Sequence, residues 1–165
     1  MENTPATMNP RRTALCLALN GSLLMLVGFF AGAAIPLVPY PRLMLSAHNA
    51  GFTVSGSLSM SAAFLLGCSL CSISRRAGIV VITGHVALWA LSLAEAASAF
   101  WGTNKATPLA AAEAGAHGGA PWQEWIGILC HLIPAVILIV AWALLVRGVW
   151  RVFKSEGLFA SRATA

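Results

Sequence analysis

The sequence predicts an all-α fold, an integral membrane four-helix bundle, and three observations carry that reading. Of the 165 residues 58% are hydrophobic and only 9% are charged, against roughly 25% charged in soluble domains. The chain contains four apolar runs, each long enough for the about 20 residues that a helix needs to cross the hydrocarbon layer. Its basic residues gather at the ends of those runs, whereas a soluble helix of that length would carry them along one face. Four crossings and their loops nearly exhaust the length, so residues 1–165 read as a single transmembrane domain.

The first run, Ala14 to Val38, follows Arg11 and Arg12. A signal peptide has the same polarity, and Ala31-Gly32-Ala33 has the small residues of a cleavage site, but the apolar core exceeds the usual length of about 7 to 15 residues. A spanning helix is therefore expected, with Gly28 and Gly32 one turn apart, a spacing that lets helix backbones approach closely. The second run, Phe52 to Ile73, contains Ser55, Ser57, Ser59 and Ser61 in strand-like alternation. An isolated strand cannot satisfy its backbone in lipid, so a helix is predicted here too, with Gly51, Ser55 and Ser59 as its small-residue stripe. The third run, Gly78 to Trp101, carries Ala90, Ala94 and Ser98 at the same spacing. The fourth, Trp125 to Val146, includes Pro134, which has no N–H for the carbonyl of Cys130 and is expected to kink the helix beside His131. Between the last two runs, Ala110 to Ala120 is rich in glycine and alanine and is either a mobile lid or a solvated linker, the linker being favoured because small residues offer few anchors.

Charge sorts the connections. Arg11, Arg12, Arg75, Arg76, Arg147, Arg151, Lys154 and Arg162 fall on one side, and only Arg42 and Lys105 on the other. The positive-inside rule then puts both termini in the cytoplasm of a multi-pass protein, in a bacterial-type inner membrane, with residues 39–51 and 102–124 outside. The net charge of +5 is accordingly a topology signal, and no nucleic-acid partner is expected. Cys16, Cys68, Cys71 and Cys130 all lie in apolar segments, where a thiol is usually a small hydrophobe.

Ionisable groups inside lipid cost several kcal/mol unless paired, which makes them functional candidates. Glu95 lies six residues before the outer end of the third run and His131 six after the outer start of the fourth, so both sit about 9 Å deep. His48 brings a third polar group towards that level, and Glu124, seven residues before His131, shares its face. Together they describe a polar pocket opening outward; the structural alternative is a Glu95–His131 hydrogen bond that only clasps two helices. His85 with Cys16, Cys68 and Cys71 offers a Cys/His metal site on the cytoplasmic side, although the CxxC lies on a predicted helix without a second pair. The chain has no Asp, no phosphate-binding glycine loop, no HExxH and no GxSxG, which removes the hydrolase, kinase and nucleotide-binding classes.

Two stretches with polar residues at fixed spacing go beyond hydropathy. They are Pro41-Arg42-Leu43-Met44-Leu45-Ser46-Ala47-His48, and Trp101-Gly102-Thr103-Asn104-Lys105-Ala106-Thr107-Pro108-Leu109-Ala110 continuing to Pro121-Trp122-Gln123-Glu124. In these the chain resembles the hydroxylaminobenzene mutase family, small four-helix membrane enzymes that convert aryl hydroxylamines to 2-aminophenols. That family is similar to styrene-oxide isomerase, a trimeric four-helix membrane enzyme in which a histidine of the second helix ligates haem b. The likeness implies a homo-oligomer, a trimer by analogy, and carries the axial-ligand role to His48. The isomerase pattern has an asparagine at the position of Val54, and Ser55, the polar residue beside it, joins the candidate catalytic set. It also uses an aspartate and a tyrosine on the third helix, which this chain lacks there.

The resulting expectation is an intramolecular rearrangement of a small aromatic hydroxylamine, with haem b on His48 as a Lewis acid and Glu95, His131 and Ser55 as catalytic residues. A proton- or cation-coupled transporter using Glu95 and His131, and a structural membrane subunit, are the competing classes.

Overall fold

The protein is described by a computed structural model over residues 9–156; Arg162, counted above among the basic residues, lies outside them. Asn9 starts helix α1 (Pro10–Ala34) by accepting the N–H groups of Arg11 and Arg12 on its side-chain oxygen, with Pro10 at the first helical position. A 3₁₀ turn, Ile35–Leu37, closes it. Helix α2 spans Pro41–Gly67 and contains a widened π segment, Ala47–Val54. Ser74 caps α3 (Arg75–Trp101), which stops at Gly102 in the left-handed region, φ 67°. The tight fit of the Tyr40 ring beside Gly102 leaves no room for a β-carbon there either. A short helix, α4 (Pro108–Ala114), lies in the following loop, and α5 (Pro121–Ser155) ends the described chain.

Four of these helices are long and apolar enough to cross a membrane, and no strand occurs among the described residues. The all-α membrane bundle expected from hydropathy is what forms. The chain runs up and down, so that Arg11, Arg12, Arg75, Arg76, Arg147, Arg151 and Lys154 share one end of the bundle, the basic end. The 102–120 loop marks the other, the loop end.

Helix boundaries depart from the apolar runs for identifiable reasons. Helix α2 starts at Pro41, not Phe52: proline favours a first helical turn, but Arg42, Ser46, His48 and Asn49 keep that stretch out of a hydropathy run. It stops at Gly67, not Ile73, because the chain turns at Ser69, φ 57°, and passes Cys71 beneath Gly148 of α5. Helix α5 continues unbroken through Pro134 and past Val146 to Ser155. Hydropathy ends where the charges begin; a helix does not. Its 35 residues span about 52 Å, well beyond the ~30 Å hydrocarbon layer.

Helices α1 and α2 form one antiparallel pair and α3 and α5 another, and the pairs meet where α3 receives the π segment. Helix α5 leans on α3 and makes no comparable interface with α1 or α2. The tightest crossing is α1 on α2. A β-carbon on Gly21 would lie 2.7 Å from the Gly56 carbonyl oxygen, and one on Gly56 would lie 2.9 Å from that of Gly21. The serines resolve as a helix: Ser55 and Ser59 are buried, Ser57 and Ser61 exposed, and the hydroxyls of Ser57, Ser59 and Ser61 donate to carbonyls four residues back.

Two apolar clusters fill the bundle, one around Leu24, Leu43, Met44 and Phe52, the other around Leu17, Leu66, Val81 and Leu145. Asn20 supplies a polar knot within α1. Its amide nitrogen donates to Ser59 Oγ (3.0 Å) and to the His85 carbonyl (3.1 Å), while its oxygen accepts the Trp89 indole N–H (2.9 Å). These bonds tie α1 to α2 and α3. Asn20→Leu preserves volume but strands the Trp89 N–H, and is expected to lower stability by about 1–2 kcal/mol in an SDS-unfolding titration.

Candidate functional site

The polar groups at the loop end are organised by the π segment and the α3 face against it. Wider π turns leave carbonyls outside the α-helical ladder; here Ser92 Oγ donates to the Gly51 carbonyl at 2.8 Å, and Thr53 Oγ1 to that of His48 at 2.7 Å. Ser92 also donates to Leu88 within α3, which keeps its hydroxyl on this face. One turn further along α3 is Glu95, only 6% exposed.

Glu95 Oε1 lies 3.2 Å from His131 Nε2. Glu95 Oε2 is buried without a hydrogen-bond partner, and a β-carbon on Gly51 would stand 2.7 Å from it. The absent side chain at Gly51 is thus what admits the carboxylate. The other ring nitrogen of His131, Nδ1, is 2.7 Å from the Gly127 carbonyl. A carbonyl only accepts, so Nδ1 carries hydrogen, and the Nε2–Oε1 contact then requires a proton between the two atoms. The pair is either imidazolium with carboxylate or imidazole with carboxylic acid. It is electrically neutral in both forms and can exchange a proton internally, while the second carboxylate oxygen stays uncommitted.

The other sequence-predicted residues fall around this pair differently. His48 sits in the π segment, on the helix and not in a preceding loop, and faces α1. Its Nδ1 is 2.7 Å from the Gly28 carbonyl, and its ring lies 3.0 Å from where a β-carbon on Gly32 would be. Gly51, three residues on, faces α3 instead, so His48 does not bond with Glu95 or His131. Ser55 is buried one turn beyond Gly51 and shares no hydrogen bond with that pair.

Glu124 is not part of the pocket. Its Oε1 accepts the N–H groups of Asn104 (3.0 Å) and Gly119 (2.8 Å), and its Oε2 that of Lys105 (3.0 Å). Three charge-assisted bonds bind the 102–120 loop to the start of α5. Nor is all of 110–120 a solvated linker: α4 runs into it as far as Ala114 and buries Ala111 against α2, because alanines at helical spacing can pack closely. The alternative Cys/His site is not assembled either. No group of three His, Cys, Asp or Glu able to hold a metal ion occurs among the described residues. His85 is buried with Nδ1 on the Val81 carbonyl, Cys71 Sγ donates to the Leu145 carbonyl, and Cys16 and Cys68 are exposed.

Asn20 and Ser92 were not singled out by the sequence, and Gly51 only as a packing residue. Asn20 is a lone amide in an apolar run, a visible signal; the Gly51 carbonyl and Ser92 become relevant only once two helices are set in register.

A haem on His48 can be tested against these contacts. A metal-ligating histidine characteristically donates its other ring N–H to a carbonyl, which fixes its tautomer and orientation. The Gly28 carbonyl stands where that donation would go, leaving His48 Nε2 as the lone-pair nitrogen. As a donor, His48 fits the imidazole that such a group would need.

A family model described as styrene oxide isomerase matches residues 13–150 of the chain. No curated protein and no solved structure matches it. The matched span contains all four long helices save the first residues of α1 and the last of α5.

Proposed function

The chain belongs to the styrene oxide isomerase family, and from that membership we propose that it rearranges aryl hydroxylamines to 2-aminophenols inside the membrane. Membership makes it an isomerase-type membrane enzyme; the substrate class, the haem and the roles below are the proposal. The observation that carries it is the neutral Glu95–His131 pair with Glu95 Oε2 buried and unbonded.

A ferric haem would supply Lewis acidity towards the hydroxylamine oxygen. His48 would hold it through Nε2, with the Gly28 carbonyl orienting the ring. In the rearrangement the N–O bond breaks with its electrons on oxygen, leaving positive charge over nitrogen and ring. A carboxylate at Glu95 Oε2 stabilises that charge in surroundings of low dielectric. Oxygen then bonds the ortho carbon, which loses its proton as the ring regains aromaticity, and the nitrogen takes one up. The Glu95–His131 pair accepts the first proton and returns one to nitrogen, so no atom is gained or lost. The proposal places the protein in a bacterial-type inner membrane with the basic end cytoplasmic, as the arginine distribution favours.

The family match also favours a second reading, isomerisation of an aryl epoxide, in which a C–O bond is the one that breaks. Assaying purified protein with hydroxylaminobenzene and with styrene oxide separates the two. Conversion of the hydroxylamine to 2-aminophenol with a Soret band, both lost in His48→Ala, is the expected result. Conversion that survives in His48→Ala would remove the haem from the mechanism, and turnover of the epoxide alone would replace the substrate.

A further inference from the structure

We propose that the basic end of α5 carries a binding site for an anionic glycerophospholipid, with an acyl chain in an apolar groove and the phosphate on Arg147. The groove holds about 740 Å³ and is lined by Leu65 of α2 and by Trp142, Val146, Trp150 and Phe153 of α5, with Arg147 as its charged residue. This volume falls in the range of small-molecule sites, about 300–1,000 Å³. It lies on the side of α5 that α3 leaves uncovered: Ala141, Leu145 and Gly148 are buried, while Val146, Arg147 and Trp150 are exposed.

Charge identifies the occupant. Arg147, Arg151 and Lys154 follow one another at helical spacing, and Lys154 Nζ sits 5.5 Å from the Trp150 ring centroid, so the cations and the indole form one surface. Arg11, Arg12, Arg75 and Arg76 mark the same end, where Glu156 is the only acidic residue described. The apolar part of the groove is on the last hydrophobic turns of α5, and its cation is where the hydrophobic run stops. Tryptophan and arginine at that level match the polar–apolar boundary of a lipid. A neutral hydrocarbon would use the groove but not Arg147, and a soluble anion would use Arg147 but not the groove. An anionic phospholipid uses both.

Native mass spectrometry of the full chain in detergent, titrated with phosphatidylglycerol or phosphatidylcholine of identical acyl chains, tests this. Phosphatidylglycerol is expected to bind about fivefold more tightly, and Arg147→Gln to erase that preference. Ala143→Phe, at the groove wall, is expected to weaken both lipids. Arg147 is exposed and in no salt bridge among the described residues, so its replacement is expected to leave the fold intact, which thermal unfolding of the variant checks. Equal binding of the two lipids, an unchanged preference in Arg147→Gln, or displacement by inorganic phosphate would overturn the proposal. So would an Ala143→Phe chain that binds lipid normally but changes oligomeric state, since the groove would then be a protein interface.

Discussion

Glu95→Gln is expected to reduce turnover by about 10²–10⁴-fold, the usual contribution of a positioned acid–base group, with little effect on folding. Glutamine has the shape of glutamate, and its amide still reaches His131 Nε2 across the 3.2 Å contact. It also tolerates the close approach of Gly51, because no atom is added. What it loses is the ability to take a proton and the negative charge at the uncommitted oxygen. His131→Ala should match the loss, since the two residues act through one shared proton. Turnover of hydroxylaminobenzene by each variant, measured beside its unfolding midpoint, distinguishes chemistry from support. Full activity in both would reduce the pair to a clasp between α3 and α5.

Gly56→Val should sharply reduce the amount of folded protein. The added β-carbon would stand 2.5 Å from Met25 Cγ and 2.9 Å from the Gly21 carbonyl oxygen. The methionine can swing away; the carbonyl belongs to a helix backbone and cannot. Overpacking of this sort costs about 1–3 kcal/mol where side chains can adjust, and helix-to-helix backbone contact puts this site at the upper end. Gly67→Ala is the control, because its nearest neighbour would be Ala14 Cβ at an ordinary 3.5 Å. Detergent-solubilised yield and SDS-unfolding midpoints should fall for the first and hold for the second. Equal behaviour would mean that α1 and α2 do not cross at Gly21 and Gly56.

Hydropathy made the four spans legible because water and lipid sort residues without regard to neighbours. The Glu95–His131 contact was legible for a similar reason: depth is a one-dimensional quantity, and both residues lie at one depth. Rotation about the helix axis is not one-dimensional, and here the sequence was silent or misleading. Glu124 shares a helical face with His131, yet its carboxylate turns to the N–H groups of Asn104, Lys105 and Gly119. His48 reads as a loop residue by polarity, but it belongs to a π segment whose existence depends on partners from α1 and α3. Likewise, a run of alanines in 110–114 has the composition of a linker until α2 offers it a surface.

The dependence of α5 on α3 as its main helix partner bears on how the proposed catalysis fails. Within one copy, loss of the α3–α5 contact, with the bonds of Glu124 to the 102–120 loop and of Cys71 to Leu145, would leave α1, α2 and α3 with the Asn20 knot and the Gly21–Gly56 crossing. Such a molecule retains most of its helix yet has lost His131 from Glu95. On the proposed role of that pair, inactivation and unfolding are expected to be separate events, with separate midpoints. Catalysis should disappear at a lower denaturant concentration than helical circular dichroism, and the interval between the two transitions measures the strength of one helix–helix contact.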